Sequence, residues 1–432
     1  MIWTDEAIIK ASPDAITFER AKDISSTRYW KDLQGNEQFI AGECQSSGNQ
    51  LYKTLVELEK PAFYCSCRSE KNPCKHALAL LLIYLKSSHL LNIVSEKPLW
   101  LQPLVEKREK QVQLSKEEQA KKDAQKAKTR DDRFKLMEKG VEELEIWLFD
   151  FIREGLGRPE VQTPSFWDDF AARMVDAKLG SIGRKIRLFK NIINRADWHE
   201  RLLESLSELY LFVRAFKKIE DLPQSMQQEL LNFAGVLPKK DELIQQKGIK
   251  DLWLVIGQTF GVEENLNFRR TWLFGAQSNQ IALLLDFVWG RNPFPMEWNP
   301  GNVFNGELVF YPSAQPIRAL VKSFEWSNSP FEGLKGFPNF EQFALTYAEA
   351  ISRSPWLVNF PVLLDSVIPV MEDKNLYLVD TQRKRIKVEH KSGDNWKILA
   401  LSGGQTLAFF GEWDGRCFRP LSAISNGRIV KI

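Results

Sequence analysis

The chain has 432 residues, 44% hydrophobic and 27% charged, the make-up of an ordinary folded protein rather than a fibrous or disordered one. Its 59 Lys and Arg against 56 Asp and Glu leave a formal net charge of +3, which removes any global electrostatic case for a nucleic-acid partner. The length exceeds one ordinary core and predicts several domains.

The first residues, "MIWTDEAIIKASPDAITFER", are amphipathic and lack the apolar region of a signal peptide. The longest apolar runs, "ALALLLIYL" and "IALLLDFVW", fall well short of the roughly 20 residues that span a bilayer. Five cysteines, odd in number and mostly clustered, do not make a disulfide framework, so a reducing compartment, the cytoplasm, is expected. Residues 1–100 carry 12 basic and 12 acidic side chains, so this stretch has no net charge with which to grip phosphate.

Three of the cysteines and one of the four histidines fall within twelve residues of "FYCSCRSEKNPCKHALALL". The spacing is C-x-C-x6-C-x-H, over Cys65, Cys67, Cys74 and His76. Three thiolates and an imidazole complete a tetrahedral zinc ion and leave no position for water, which is the pattern of a structural rather than a catalytic site. The flanks agree. "QLYKTLVELEKPAFY" reads as strand, limited by Pro61, and alternation along it points Cys65 and Cys67 the same way with Ser66 outward. "HALALLLIYL" reads as helix, with Leu78, Leu81, Leu82 and Leu85 on one face and Cys74 and His76 at its N-terminus, where the helix dipole favours thiolate. The competing reading, cysteine as a small buried hydrophobe, does not explain four ligand types at this spacing. Arg68, Lys71 and Lys75 surround the loop. They are read first as balancing an anionic metal site and second as a phosphate patch. Cys44 reads as a buried strand thiol rather than a fifth ligand, Cys417 as structural, His89 as a surface or capping residue, and His199 and His390 as isolated.

This quartet, with strands before it and a helix after it, resembles the SWIM zinc finger. "FIAGECQSSGNQLYKTLVELEKPAFYCSC", with its turn at 44–48, and "CKHALALLL" are similar to the bacterial members of that family. So, further along, are "FAARMVDAKLGSIGRKIR", "ELVFYPSAQPIRAL" and "GEWDGRCFRPLSA". The resemblance implies one structural Zn²⁺ held by Cys65, Cys67, Cys74 and His76, and a role in binding DNA or protein rather than a reaction. It also implies a partner class, since such proteins are sometimes encoded beside AAA+ ATPases and von Willebrand A-type proteins.

The expected architecture is a multidomain α+β chain. It comprises an N-terminal domain over 1–103, whose zinc module (about 35–90) is a small ββα unit dependent on its metal. A charged linker over 104–129, a central all-α domain over 130–257 and a strand-rich mixed α/β domain over 258–432 follow. The linker, "KREKQVQLSKEEQAKKDAQKAKTRDDRF", has almost no apolar residues and reads as disordered or as a solvated helix. Ser115 with Glu118, and Thr129 with Asp132, offer capping signals. Phe134, Met137, Val141, Leu144, Leu148 and Phe151 then make an apolar stripe that Gly155 ends. A second helix, capped by Ser165 and Asp168, is expected to bury Trp167, Phe170, Ala171, Met174 and Val175 and to stop at Gly180. Helical patterns continue at about 184–194, 197–219, 223–234 and 239–256. Arg184, Lys185, Arg187, Lys190 and Arg195 give one helix a basic face opposite Ile186, Phe189, Ile192 and Ile193.

From Phe268 the period approaches two. "FRRTWLFGAQSNQIALLLDFVW" predicts a hairpin turning near Gly275–Asn279, "GELVFYP" and "IRALVKSFEW" predict strands, and "NFEQFALTYAEAISRSPWL" predicts a helix capped by Asn339. The C-terminal stretch predicts strands and tight turns, with turn chemistry at 392–395 and at Asp414–Gly415 and a basic hairpin at Arg383, Lys384, Arg385 and Lys387. No hydrolase elbow, H-E-x-x-H, P-loop, Rossmann or kinase signature is present, and neighbouring acidic residues such as Asp168–Asp169 point about 100° apart on a helix. The expected function is therefore that of a non-enzymatic, zinc-binding protein-interaction protein. The alternative is a DNA-binding protein acting through the zinc module or the basic helical face.

Overall fold

The computed structural model describes residues 3–45, 50–263, 266–329, 331, 333–389, 394–425 and 427–432, with the backbone alone at 106–123, 126 and 394. The chain divides into two compact units, Met1–Arg130 and Asp131–Ile432.

The first unit begins with α1 (Asp5–Ala11) and α2 (Ala15–Asp23), capped by side chains of Thr4 and Asp14. Four strands follow: β1 (Trp30–Gly35), β2 (Phe39–Gln45), β3 (Leu51–Glu57) and β4 (Ala62–Cys65). After them come α3 (Lys75–Ser87), β5 (Asn92–Ile93) and α4 (Leu101–Glu154). The sheet order is β4-β3-β2-β1-β5, with only the short β1–β5 pair parallel. Every residue of α3 from His76 to Ile83 is buried. A helix apolar all round must be covered on all sides. Here Ile8 of α1, Phe18 and Ala21 of α2, and Ile40 and Val56 of the sheet share its core. The opposite face of the sheet, Phe39, Ala41 and Leu55, is covered by Leu101 at the start of α4. The expected ββα module is thus one part of a larger layered unit with a core of its own.

The charged stretch after residue 104 is helical. Its Ala, Glu, Lys, Gln and Arg are strong helix formers and nothing in it breaks a helix. The second helix start expected at Thr129 is corrected: Thr129 lies inside α4, its hydroxyl donating to Gln125 O at 2.9 Å. The side chain of Ser115 lies outside the described residues.

In the second unit, Met137, Val141, Leu144, Leu148 and Phe151 of α4 are buried as the stripe predicts. Against them pack α5 (Pro164–Asp176), α6 (Gly180–Arg187), α7 (Phe189–Ile192), α8 (Trp198–Phe216) and α9 (Gln224–Ala234); α10 (Lys240–Ile244) follows. The core is aromatic: Trp147 stacks on Phe170 at 4.3 Å, and the fully buried Trp167 donates its indole N–H to Val161 O at 2.9 Å. Local expectations are corrected at α5. Thr163 is the N-cap with Pro164 in the first turn, Val175 is exposed, and Gly180 opens α6 rather than closing α5.

The helical reading of 239–256 is also corrected, because β6 (Ile249–Glu263) begins there. Its residues Trp253 to Gln258 are buried in succession, so it carries the continuous apolar run that periodicity alone cannot tell from a buried helix. With β7 (Leu266–Gly275), β8 (Ile281–Trp289), β9 (Val303–Phe310) and β10 (Ala319–Ser327) it forms a sheet of order β10-β9-β6-β7-β8. Next come α11 (Phe340–Arg353), β11 (Phe360–Glu372), β12 (Asn375–Val379), β13 (Arg385–Lys387), α12 (Asp394–Ser402), β14 (Leu407–Trp413), β15 (Phe418–Ser425) and β16 (Arg428–Lys431). These strands make a second sheet, β13-β12-β11-β14-β15-β16. The two sheets share a core of Leu254, Ile256, Trp272 and Phe274 from the first with Leu363, Phe410 and Leu421 from the second. Asn339 caps α11 as expected, accepting from Gln342 N at 3.0 Å. "DNWKILALS" forms α12, not a strand, and Asp394 and Asn395 belong to it; residues 390–393 of the expected turn lie outside the described residues.

Candidate metal centre

Each ligand is placed by a separate local device. Cys65 ends β4 opposite Thr54 of β3, whose buried hydroxyl lies 3.3 Å from the Cys65 sulfur. The next residue, Ser66, donates its N–H to Lys53 O and accepts from Lys53 N, so the chain stays pinned to β3 through the knuckle while its side chain faces out. That alternation returns Cys67 to the same side as Cys65. Cys74 is the N-cap of α3 and His76 lies in its first turn, its ring 4.7 Å from that of Tyr52.

These devices bring the ligand atoms of Cys65, Cys67, Cys74 and His76 within 4.8 Å of one another. His76 Nδ1 lies 3.7 Å from the Cys65 sulfur and 4.0 Å from that of Cys74. A tetrahedral zinc ion with ordinary Zn–S and Zn–N bonds would set such atoms roughly 3.5–3.8 Å apart, so the quartet fits zinc with little adjustment. Cys74 and His76 are buried and the other two partly so, which leaves a closed Cys3His set.

The electrostatics point the same way. Cys67 is held well below the usual thiol range because Cys65, and then Cys74, donate hydrogen bonds to it, with the Ser69 N–H adding to the effect. Cys65 is driven up, chiefly because its proton is held in that bond to Cys67. Cys74 is raised to about 11: the Cys65 thiol works the other way, but donation to Cys67 and burial prevail. Three crowded sulfurs therefore oppose one another's ionisation. A divalent cation is what allows all three to ionise, and its binding releases protons.

The connecting loop is tied down by Asp14, which sequence reasoning passed over. Lys71 Nζ lies 2.7 Å from Asp14 Oδ2, the N-cap carboxylate of α2, and 3.4 Å from Thr17 Oγ1. Asp14 is held at about 2, first by the Lys71 ammonium and then by the Thr17 N–H. The signal in the sequence was only the D-x-x-T cap at 14–17; its partner lies 57 residues away. Of the three cations expected around the loop, Lys71 is thus committed, while Arg68 and Lys75 are exposed.

The other sequence candidates fall elsewhere. Cys44 is buried in β2, its thiol raised to about 11 by burial, and it is not one of the four clustered ligands. His89 is exposed, His199 is exposed and stacked on Trp198, and His390 lies outside the described residues. The basic helical face is largely neutralised. Arg184 pairs with Glu263, Lys185 with Glu208, Arg187 and Lys190 with Asp168, and Arg195 with Asp197. In the C-terminal basic hairpin, Lys384 pairs with Glu341 and Arg385 with Glu372.

Comparison with protein families decides the matter: residues 56–85 match the SWIM zinc finger. The chain thus carries a SWIM zinc finger. Residues 132–234 match a second model, the SWIM-associated four-helix bundle domain, which coincides with the aromatic-cored helices of the second unit. Comparison with curated proteins and with solved structures gives no match. The SWIM match covers β4, the loop and most of α3, so the Cys3His cluster is its zinc site, and one zinc ion there is supported by family and geometry together. When bound, the ion supplies a cross-link between β4 and α3. Cys65 and Cys67 anchor it to the sheet, Cys74 and His76 to the helix, and the Lys71–Asp14 pair fixes the loop between them. Among the described residues, no helix is long and apolar enough to cross a membrane.

Proposed function

We propose that this SWIM protein is a non-enzymatic, cytoplasmic binding protein whose zinc is structural and whose first unit docks a protein partner. The observation that carries this reading is the closed ligand set. Four protein ligands leave no site for a water or substrate, so the metal shapes a surface rather than a reaction. That surface includes a cleft beside the ligands lined by Phe63, Tyr64, Arg68, Ser69, Glu70 and Leu104, a mixture of aromatic, polar and opposite charges that suits a protein better than a polyphosphate. The commitment of Lys71 to Asp14 and the neutralised helical face weigh against duplex DNA at either place. The family resemblance makes AAA+ ATPases and von Willebrand A-type proteins the partner class to try first.

The test is a surface variant, Arg68→Glu with Phe63→Ala, that keeps one zinc per chain. Candidate partners of those two classes are titrated against both forms by biolayer interferometry. The expected result is binding by the wild type that the variant loses. Equal binding by both, or salt-sensitive duplex-DNA binding that Arg68→Glu abolishes, would contradict it.

A further inference from the structure

The β6–β10 sheet of the second unit closes on itself. Its two edges, β8 and β10, meet where Leu283 forms a parallel bridge with Arg318 and donates its N–H to Ile317 O at 2.8 Å. Going round, β6 pairs antiparallel with β7, β7 with β8, β6 with β9 and β9 with β10. Closure of the third strand on the fifth is then parallel. Trp253, Val255, Leu273, Leu284, Phe304 and Leu308 share one buried cluster, the barrel interior. The first strand is the longest, Ile249–Glu263, and its register shifts between Val255 and Gly257. Five strands in this order, with these directions, are those of the OB-fold, whose second and third strands characteristically present a ligand face.

In this chain those strands are β7 and β8. Trp272 and Phe274 of β7 face outward and are covered by the second sheet. Alternation then puts Arg270, Phe268 and Leu266 on the same face beyond that cover, and cross-strand pairing sets Phe287 beside Phe268 and Trp289 beside Leu266. Phe287 is 40% and Trp289 64% exposed. A Cβ on Gly261 would lie 2.5 Å from the Phe268 ring, so that ring rests directly on the β6 backbone. Beside the aromatics, Arg270 and Arg419 share one carboxylate, Glu412, at 2.9 and 4.0 Å, and Glu412 also takes the Trp272 indole N–H. Arg291 follows Trp289 across the turn at Gly290 and is exposed. Two arginines therefore share one buried carboxylate and Arg291 adds a third positive charge just past the end of β8, while the Arg184–Glu263 pair at the end of β6 is neutral.

We propose that this strip binds single-stranded nucleic acid, with bases stacked on Phe287 and Trp289 and phosphates met by Arg270, Arg291 and Arg419. Two residues along one strand place the rings about 6.7 Å apart, a step that an extended single strand can match base by base. A duplex keeps its bases inside and has nothing to stack here. The local excess of arginine favours phosphate over an apolar peptide as the occupant. The proposal concerns the second unit and stands apart from protein docking by the zinc unit.

The experiment is fluorescence anisotropy of the zinc-loaded full chain with labelled oligo-dT, oligo-rU and a duplex of equal length, at two salt concentrations. Single strands bind and the duplex binds more weakly; the salt slope for single strands is near 2 if three phosphates are met, at about 0.7 each. Phe287→Ala and Trp289→Ala each weaken binding by about 5- to 150-fold, the stacking worth of one base. Trp289→Phe restores most of it, and Arg68→Glu in the first unit changes nothing. Both aromatics are exposed, so a circular-dichroism melt of each variant should match the wild type. A preference for one of the two single strands over the other leaves the proposal standing. Absence of single-strand binding at low salt overturns it. So does single-strand binding that Phe287→Ala and Trp289→Ala leave intact, since the strand would then lie elsewhere on the chain.

Discussion

The two units hold themselves together by different means. In the first, a helix buried on every side supplies the core, yet the loop leading into it, from Cys65 to Cys74, contributes almost nothing apolar and hangs on four ligands and one ion pair. In the second, α4 to α9 bury Trp167, Phe151, Phe170, Phe189 and Phe212 completely, with no metal-ligating cluster among the described residues. A metal is used where a loop cannot bury enough surface to fix itself, and aromatic area where it can. The contrast also revises the expectation that the zinc module would be a metal-dependent miniature. The core around α3 reaches from Trp3 to Ile83, so zinc fixes one edge of that unit rather than standing in for its centre.

The largest expected effect follows from that difference. Cys74→Ser removes one ligand and leaves three, and bound zinc by elemental analysis should fall from one per chain to well below half. Hydrogen exchange should then rise through residues 62–78 while the α4–α9 helices keep their protection. If exchange rises equally in both units, the division drawn here is wrong. Trp167→Ala is the reciprocal cut: it should cost about 3–5 kcal/mol in urea unfolding of the second unit and leave zinc content unchanged. Glu412→Ala should cost that unit about 3 kcal/mol, because it strands the Arg270 guanidinium, only 17% exposed, without its counter-charge.

Acid sharpens the comparison further. Zinc requires three thiolates and a neutral imidazole, so the bound form holds fewer protons than the unfolded chain. The stability it confers is full above the ordinary thiol range and declines as pH falls, with zinc release followed by a chromogenic chelator. The second unit should not show that dependence. The smallest effect is that of Asp14→Asn. Because Asp14 is depressed to about 2, its contribution is present above the ordinary carboxylate value and is lost as pH falls through 2. At pH 7 the variant should therefore lack only the Asp14–Lys71 contribution, with slightly faster hydrogen exchange in the zinc loop and zinc still bound.

What the sequence disclosed and what it withheld follow one physical line. The quartet was legible because its ligands lie within twelve residues and β4 and α3 do the rest locally. The stripe Met137–Phe151 was legible because one face of a helix repeats. β6 was misread because Trp253 to Gln258 are buried without a break, and α12 because "WKILAL" is short and apolar in a region of strands. The Lys71–Asp14 tie, the closure of β8 on β10, and the pairing of Arg270 with Glu412, 142 residues apart, are long-range events that no local pattern encodes. The basic helical face was visible as a pattern, but its neutralisation by Asp168, Glu208 and Glu263 was not, since those partners come from other elements.

The central claim is a closed, four-ligand structural zinc, and X-ray absorption at the zinc edge of the purified chain tests it most directly. The account predicts a first shell of three sulfurs near 2.3 Å and one nitrogen near 2.0–2.1 Å, unchanged by competing small anions. A shell with fewer sulfurs, or an oxygen that exchanges with added anions, would show an open site and contradict it.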